Sequence, residues 1–293
     1  GGALKEVLPA LGTHRGLNSD RLKAMFGEVP LSLFREHDFR RDVELLGRIP
    51  ASYIEELSEG TLSFDYPVEL NSSLIHGGYD LILSIGQVVP HEVVGMANHS
   101  KNLLVGLGGA QAIHKSHYLG AVYGMERIMG RSETPVRALL DRADREYLSR
   151  LPVLYILTVV EDETTRGIFI GDDRDAFERA AELSRRVNCT EVEAPLERVV
   201  VRLDAEHFHS TWIGNKAIYR SRMVIADGGE LIVYAPGISR FGEDEEIDRV
   251  IRGYGYCGRG AVMREVDRGG LLSRNLAAAA HLIHGSSEGR FRI

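Results

Sequence analysis

The 293-residue sequence predicts an α/β protein with two domains, built from mostly parallel sheets that are flanked by helices. Three apolar runs have the length and composition of buried strands: residues 79–85, 153–160 and 230–235. Three stretches between them have helical periodicity: residues 110–129, 134–148 and 175–187. Strands that alternate with helices in this way are typical of α/β folds.

A change of pattern separates the two predicted domains. Residues 188–198 break the periodicity and contain Pro195, so we expect a linker there. The larger domain is predicted to cover 1–190 and the smaller one 191–293. Nearer the start, Asn18 is a favourable helix cap and Gly27 a favourable helix stop, which predicts a short helix between them.

Composition and charge exclude several classes of protein. Hydrophobic residues make up 44% and charged residues 26%, as in soluble globular proteins. The net charge of −7 argues against binding to nucleic acid, which requires clustered positive charge. No apolar run approaches the roughly 20 residues that span a bilayer, so no membrane contact is expected. Cys189 and Cys257 form no Cys-x-x-Cys pair; we interpret both as packing residues and expect a cytoplasmic protein.

Two histidines lie in positions that suit acid–base chemistry. His14 lies in the turn Gly12–Gly16, and His91 follows the first apolar run. In an open α/β sheet, residues just beyond the carboxyl end of a strand line the ligand crevice. An imidazole with a pKa near 6.5 can give or take a proton there. A solvated loop histidine is the alternative for each position.

Lys101 is followed by a glycine-rich turn that leads into a helix. The turn Gly106–Gly109 would present amide groups and a positive helix end, which suit a phosphate. Lys101 beside it could pair with that phosphate or, if desolvated, act as a nucleophile. A surface lysine is the alternative.

Two pairs of histidines have spacings that metal sites use. His114 and His117 are three residues apart on a predicted helix and share a face, so they could bind nickel, zinc or copper. His207 and His209 alternate on a predicted strand, although a surface strand explains them as well. Neither pair has an adjoining carboxylate motif.

Taken together, these motifs resemble the lactate racemase family that uses a nickel-pincer nucleotide. The resemblance rests on Gly12–Arg15, Pro67–His91, Lys101, His117 and Asp204–Gly229, and the spacing of His91, Lys101 and His117 is its most specific part. It implies a two-domain enzyme, with its active site in the cleft between the domains. The implied reaction inverts C2 of a 2-hydroxy acid by hydride transfer to and from the cofactor.

The resemblance also implies roles for individual residues. Lys101 matches the lysine that tethers the cofactor, pyridinium-3,5-bisthiocarboxylic acid mononucleotide with nickel, and His117 matches the nickel ligand. His14 and His91 match the acid–base pair. Lys216 matches the lysine that pairs with the substrate carboxylate, and we expect Arg15 and Trp212 to contact substrate as well.

Three departures from the family pattern affect these expectations. Ala97–His99 replaces a Ser-Gly-Gly type of turn, and Trp212-Ile213 replaces Tyr-Gln. The family's Asp-Asp-x-Thr-Arg-Pro motif does not occur, so an N-terminal part is apparently missing. We therefore expect a 2-hydroxy acid or sugar acid as substrate, not lactate in particular, and cofactor-synthesis enzymes as partners.

Two other functions remain open at this point. The first is a zinc-dependent hydrolase or lyase built on His114, His117 and a remote third ligand. The second is a non-catalytic module that binds a phosphate-bearing ligand at Gly106–Gly109.

Overall fold

The computed structural model describes residues 2–14 and 16–293, so the predicted substrate contact Arg15 lies outside the described residues. The strands in these ranges are β1 Val43–Ile49, β2 Tyr66–Asn71, β3 Ile82–Gln87, β4 Pro90–His91, β5 Gly95–Met96, β6 Val153–Glu161, β7 Thr164–Gly171, β8 Leu196–Arg202 and β9 Ile225–Tyr234. The α-helices are α1 Ser19–Phe26, α2 Ala51–Leu57, α3 Ser72–His76, α4 Ser100–Leu104, α5 Ala110–Tyr123, α6 Pro135–Ala143, α7 Arg174–Asn188, α8 Thr211–Gly214, α9 Lys216–Ser221, α10 Glu245–Tyr254, α11 Arg259–Asp267, α12 Leu271–Arg274 and α13 Leu276–His284.

The strands form four small sheets of mixed direction. β3 runs parallel to β6 and β8 parallel to β9, whereas β1 and β2 pair antiparallel, as do β6 and β7. β4 pairs with β5. The α/β class is therefore confirmed, but the prediction of mostly parallel sheets is wrong.

A tight hairpin accounts for one antiparallel pair. Asp162 and Glu163 both have positive φ, 45° and 66°, between the end of β6 and the start of β7. Such a two-residue turn returns the chain beside the strand that it has just left, whereas a parallel neighbour needs a long crossover. β7 is a strand that the apolar-run analysis missed, because its sequence alternates and contains polar residues.

β3 is an edge strand of its sheet, and only one of its faces is buried. Ser84 is buried, while Leu83 and Ile85 on the opposite face are exposed. Ile85 lies beside Ile156 of β6, which lies beside the exposed Ile170 of β7. The prediction of a fully buried strand here is therefore wrong, because an apolar run can also supply an open sheet face.

Capping side chains and glycines with positive φ explain where two of the helices begin and end. The Asn18 side chain accepts the Arg21 amide at the start of α1, and Gly27 ends that helix with φ 62°, as predicted. α5 ends earlier than predicted because Gly124 has φ 110° and is followed by a 3₁₀ turn, Met125–Arg127. In the described parts of the chain, no helix is long and apolar enough to cross a membrane.

The chain divides into two compact units that are each assembled from separate segments. The first contains the residues up to Val89, Met96–Ile113 and Arg137–Ser184. The second contains Pro90–Gly95, His114–Val136 and Arg185–Ile293. The last division lies near the predicted boundary at 190/191, and the earlier divisions have no counterpart in the prediction.

Each unit has its own hydrophobic core. In the first unit, the side chains of Tyr66, Leu70, Leu157 and Phe177 are buried. In the second unit, α9, β9 and the C-terminal residues contribute to one buried cluster: Met125, Ile218, Tyr219, Ile225, Leu231 and Phe291.

Three smaller predictions need correction. The end of the predicted linker overlaps β8, because Leu196 and Arg198 pair with β9. His207 and His209 lie outside any strand, and His207 bonds to the Asp204 carboxylate at 2.8 Å. Cys257 is exposed and does not pack in a core, whereas Cys189 is half-buried.

Gly95 is a position where a side chain cannot be accommodated. Its φ is 87°, and a Cβ would overlap the carbonyl oxygen of Arg131. Gly228 has a similar φ of 79° but open space around it. We expect Gly228→Ala to lower the free energy of unfolding by about 1 kcal/mol through backbone strain alone. Gly95→Ala should cost about 3 kcal/mol or more, because the overlap adds to that strain.

Urea unfolding of both variants measures this difference. Equal losses of stability in Gly95→Ala and Gly228→Ala would contradict the close backbone packing around Gly95.

Candidate active site

Lys101 follows a turn in which two residues that carry a Cβ have left-handed backbone. Asn98 has φ 72° and His99 has φ 57°, directly before α4 begins at Ser100. Such a conformation costs about 1–2 kcal/mol for each non-glycine residue, so the surroundings must hold it in place. The Asn98 side chain does so locally, because its oxygen accepts the His99 amide at 2.7 Å.

The side chain of a fully buried arginine, Arg137, is hydrogen-bonded to three residues of this turn. Arg137 donates to the carbonyl oxygens of Met96 at 2.7 Å and Asn98 at 3.1 Å, and to the Ser100 hydroxyl at 2.9 Å. Ser100 in turn donates to the Asp141 carboxylate at 2.7 Å. Burial lowers the pKa of Arg137 to about 10, so the guanidinium remains charged at neutral pH.

His99 packs into the same network and is not a solvated loop residue. Its ring stacks on Tyr155 with centroids 4.2 Å apart and lies 5.4 Å from the ring of Phe177. Nε2–H donates to the carbonyl oxygen of Asp173 at 3.3 Å, and Nδ1 has no hydrogen-bond partner among the described residues. Burial, followed by the charge of Arg137, lowers the pKa of His99 to about 4, so the ring is neutral.

The turn that carries His14 is attached to the end of the Lys101 helix. The Gly12 amide donates to the carbonyl oxygen of Gly106 at 2.8 Å, and the His14 amide donates to that of Leu11 at 3.0 Å. The His14 side chain is exposed. The structure therefore includes His14 and Lys101 in the same unit, each on a backbone segment that is hydrogen-bonded to the other.

The glycine turn after α4 already has a carboxylate at its helix end. The Ala112 amide, in the first turn of α5, donates to the Glu69 carboxylate at 3.2 Å. A Cβ on Gly109 would overlap that same carboxylate. Since Glu69 occupies the position that a phosphate would need, the hypothesis of a phosphate module at Gly106–Gly109 is not supported.

In the second unit, His91 ends β4 and has a defined proton position. The Val93 amide donates to His91 Nδ1 at 3.1 Å. A ring nitrogen that accepts a hydrogen bond carries no proton, so the neutral ring carries its proton on Nε2. The Glu92 carboxylate lies 3.8 Å from the same Nδ1 and is about a quarter exposed, at 25%.

The carboxylate of Glu92 interacts electrostatically with several candidate residues of the second unit. Burial alone would raise the pKa of Glu92, but His91, its own amide, His284 and Lys216 together hold it at about 2. The carboxylate is therefore ionised at neutral pH. His284 is buried; burial lowers its pKa to about 4, and His117 is among the charges that contribute. The structure thus brings His91, His117 and Lys216 within electrostatic reach of this pair.

Trp212 and Lys216 lie on two successive short helices beside a buried histidine. Trp212, in α8, packs against the ring of His281 with centroids 4.5 Å apart. The hydroxyls of Tyr219 and Tyr256 each lie 3.1 Å from a ring nitrogen of His281. Lys216 begins α9 and is exposed. Trp212 is therefore held by its neighbours while Lys216 reaches solvent.

His114 and His117 are both half-buried on α5, as the helical spacing predicted. Within the ranges 2–14 and 16–293, no three His, Cys, Asp or Glu side chains come close enough together to hold a metal ion. Because an open zinc site needs three protein ligands, this arrangement does not favour the zinc hydrolase or lyase hypothesis.

Known proteins resemble this chain in sequence and in fold. Residues 5–128, which include His14, His91, Lys101 and His117, match the family described as the lactate racemase N-terminal domain. A curated lactate racemase from Thermoanaerobacterium thermosaccharolyticum is 26% identical over 245 residues, which cover 78% of this chain and 51% of that enzyme. The first part of this chain is therefore similar to the N-terminal domain of lactate racemases.

Solved structures of similar proteins extend the likeness over almost the whole chain. A protein from Thermotoga maritima is 27% identical with a TM-score of 0.83, over 95% of this chain and 69% of the other. The lactate racemase apoprotein from T. thermosaccharolyticum has a TM-score of 0.74 at 20% identity, over 98% and 65% of the two chains, which shows the shared fold. The chain spans about half the length of the curated relative that it matches.

The resemblance to lactate racemases did not identify every residue at this site. Glu92 is adjacent to His91 in sequence, and a search for carboxylates beside candidate bases would have found it. His281 and His284 have the same three-residue spacing as His114 and His117, on α13. Because their helix is apolar, the sequence predicts that they are core residues. Their positions beside Trp212 and Glu92 follow from the tertiary structure alone.

The left-handed backbone before Lys101 predicts that glycine is more stabilising than alanine at position 99, the reverse of the usual order. At an ordinary position, alanine is more stable than glycine by about 0.4–1 kcal/mol. At His99 the left-handed backbone favours glycine, and both variants lose the stacking on Tyr155. We therefore expect His99→Gly to be more stable than His99→Ala by about 1 kcal/mol in urea unfolding. An alanine variant as stable as the glycine variant would contradict the strain.

The buried neutral histidines predict a loss of stability in mild acid. The pKa of His281 is lowered to about 3, chiefly by burial, and that of His284 to about 4, whereas the unfolded values are about 6.5. As pH falls below about 6.5, the unfolded chain takes up protons that the folded chain does not, so stability decreases. Each histidine contributes up to about 1.4 kcal/mol per pH unit.

Urea unfolding at pH 7, 6 and 5 measures this slope. We expect His281→Phe to reduce the loss between pH 6 and pH 5 by about 1 kcal/mol relative to the unaltered protein. An unchanged slope would show that His281 takes up its proton in the folded state.

Proposed function

We propose that this protein is a racemase or epimerase that inverts C2 of a 2-hydroxy acid, or of a sugar acid with the same group, with a nickel-pincer nucleotide as cofactor. The observation that carries the proposal is the family match over residues 5–128, which contain His14, His91, Lys101 and His117. The geometry around Lys101 and Glu92 supports it independently.

The residues present fit the implied cofactor in their donor chemistry. Lys101 is half-buried on a helix whose first turn is fixed by Arg137, which suits a covalent anchor. His117 offers a half-buried imidazole, a ligand that suits nickel. Lys101 would therefore hold the nucleotide and His117 would coordinate its nickel. When bound, the group would supply an electrophilic acceptor for hydride, which avoids the difficult removal of the C2 hydrogen as a proton.

The chain's own residues would handle the hydroxyl proton and the carboxylate. Inversion requires a proton exchange on each face of C2, and two histidines, His14 and His91, meet that need. Lys216 is exposed and positively charged, so it would pair with the substrate carboxylate while the carbon changes configuration. Trp212, which His281 holds in place, would limit the space beside Lys216.

Glu92 would favour the protonated form of His91. With Val93 bonded to Nδ1, the neutral ring is a donor at Nε2. The ionised Glu92 carboxylate lies 3.8 Å from Nδ1, which is beyond hydrogen-bond range but close enough to stabilise a positive charge on the ring. Glu92 would therefore act through His91 as a positioning residue.

Mass analysis of Lys101 tests the tethering directly. The full-length protein is co-expressed with nickel and the cofactor-synthesis enzymes, beside the T. thermosaccharolyticum lactate racemase as a loading control. We expect a nucleotide-sized adduct on the peptide that contains Lys101, because a lysine amine can form the thioamide, whereas a guanidinium cannot. The matched variant Lys101→Arg keeps the charge and should carry no adduct. An unmodified Lys101 beside a loaded control enzyme would refute the tethering.

Substitution of the two proposed acid–base residues separates their role from cofactor loading. We expect His14→Asn and His91→Asn each to lower the rate of inversion by about 10²–10⁴-fold, while the adduct on Lys101 and the nickel content remain unchanged. Chiral chromatography of a panel of 2-hydroxy acids and sugar acids measures the rate and also identifies the substrate. Full activity in either variant would remove that residue from the mechanism.

A further inference from the structure

Two tyrosines, a histidine and a threonine of the second unit form a hydrogen-bonded chain that the proposed mechanism does not use. The Tyr219 hydroxyl lies 3.1 Å from His281 Nδ1, and the Tyr256 hydroxyl lies 3.1 Å from Nε2 of the same ring. Tyr256 donates to the Thr211 hydroxyl at 2.7 Å, and Thr211 donates to the carbonyl oxygen of Phe241 at 3.1 Å. Tyr219 and His281 are both buried, so their polar atoms have to pair within the protein.

The last acceptor fixes the direction of every hydrogen bond in this chain. A carbonyl oxygen only accepts, so the single Thr211 hydroxyl proton goes to Phe241, and the Thr211 oxygen accepts from Tyr256. Because the Tyr256 proton is used there, the Tyr256 oxygen accepts the Nε2–H of His281. Nδ1 is then the unprotonated nitrogen, and Tyr219 donates to it. His281 is therefore held in the Nε2–H form.

This direction requires a neutral His281 ring, and the surroundings keep it neutral. Burial, followed by the charge of His284, lowers the pKa of His281 to about 3. A protonated ring would donate from both nitrogens, and Nδ1 could no longer accept from Tyr219. The amide nitrogen of Asn215 lies 3.5 Å from Nε2, farther than the Tyr256 hydroxyl, so Tyr256 is the closer partner of that nitrogen.

The hydrogen-bonded chain contacts Trp212 at two points. The ring of His281 packs against the indole with centroids 4.5 Å apart. The carbonyl oxygen of Phe241, where the chain ends, also accepts the backbone amide of Trp212 at 2.9 Å. The same set of hydrogen bonds therefore holds both the backbone and the side chain of Trp212.

Trp212 and Lys216 lie on one face of a nearly continuous helical segment. Asn215, between α8 and α9, has helical angles, φ −63° and ψ −7°, and its amide donates to the carbonyl oxygen of Thr211 at 2.9 Å. Side chains four residues apart on such a backbone are neighbours. The indole is therefore next to the amine that is proposed to pair with the substrate carboxylate.

We propose that His281 is a positioning residue for substrate recognition: the hydrogen-bonded chain from Tyr219 to Phe241 fixes its ring, and the ring fixes the indole of Trp212 beside Lys216. The role in recognition rests on the proposed function, because it takes Lys216 as the partner of the substrate carboxylate. The tautomer of His281 and its effect on Trp212 do not depend on that function. An indole in a fixed position would limit the size of the group that C2 of the substrate carries.

Nitrogen NMR of the protein without cofactor, with isotope-labelled histidine, tests the direction of the chain. The signal that disappears in His281→Phe belongs to His281. At pH 7 we expect the Nε2–H form, because Tyr256 is the acceptor and Tyr219 the donor. A predominant Nδ1–H form would overturn the proposal, since it would reverse both hydrogen bonds of the ring.

Fluorescence tests whether the chain holds the indole, because Trp212 is the only tryptophan in the 293 residues. Tyr256→Phe removes one hydroxyl, and we expect emission at longer wavelength because a less restrained indole contacts more water. Thr211→Val should have the same effect, whereas Thr211→Ser keeps the hydroxyl and should retain the original emission. Tyr79→Phe is the matched control, since the Tyr79 hydroxyl donates to Glu6 in the first unit. It should leave the emission unchanged.

Kinetics of the loaded protein, with the best substrate of the panel above, test the role in recognition. We expect Tyr256→Phe to raise KM about tenfold and to change kcat by less than about twofold, because a displaced indole weakens the binding of substrate and of transition state to a similar extent. An unchanged emission or an unchanged KM in Tyr256→Phe would overturn the proposal, while the proposed function would stand. A loaded protein that inverts no acid of the panel would refute the proposed function and, with it, the role in recognition.

Discussion

The buried guanidinium of Arg137 is the interaction on which the geometry of the candidate site depends. It is a full charge with no exposed surface, and burial of such a charge is costly unless hydrogen bonds and an opposite charge compensate for it. Its partners are the turn from Met96 to Ser100 and the carboxylate of Asp141. The arginine and the turn therefore stabilise each other, and the turn directs the start of the helix that carries Lys101.

This dependence explains how the chain can tolerate Asn98 and His99 where glycine would be easier. The backbone carbonyl of Asn98 is held by Arg137, and the ring of His99 is held by Tyr155 and Phe177. The strain at the turn is thus offset by packing within the same unit. A reactive lysine benefits from such a support, because a flexible helix start would not present its amine in one direction.

The second unit uses a different means to organise its candidate residues. The ionised carboxylate of Glu92 lies near His91 and His284, and burial keeps His281 and His284 neutral. Neutral buried rings add no repulsion beside Lys216, while the carboxylate attracts a protonated His91.

Much of the fold could be predicted from local signals in the sequence. The Asn18 cap, the β6 run and the α7 periodicity depend on neighbouring residues, and each is observed. β7 and the open face of β3 could not be predicted, because pairing direction and burial depend on residues far apart in the chain. The same limit applies to the site. Lys101 and His117 follow from a motif, whereas the roles of Glu69, His99 and His284 follow from tertiary contacts alone.

The most direct test of the proposed chemistry is the fate of the C2 hydrogen. The loaded protein is incubated with one enantiomer of its 2-hydroxy acid in deuterium oxide, and the product enantiomer is analysed by mass spectrometry. Hydride transfer within a closed site predicts that the product retains its original hydrogen at C2. Incorporation of solvent deuterium at C2 would contradict hydride transfer and would indicate proton removal by a histidine.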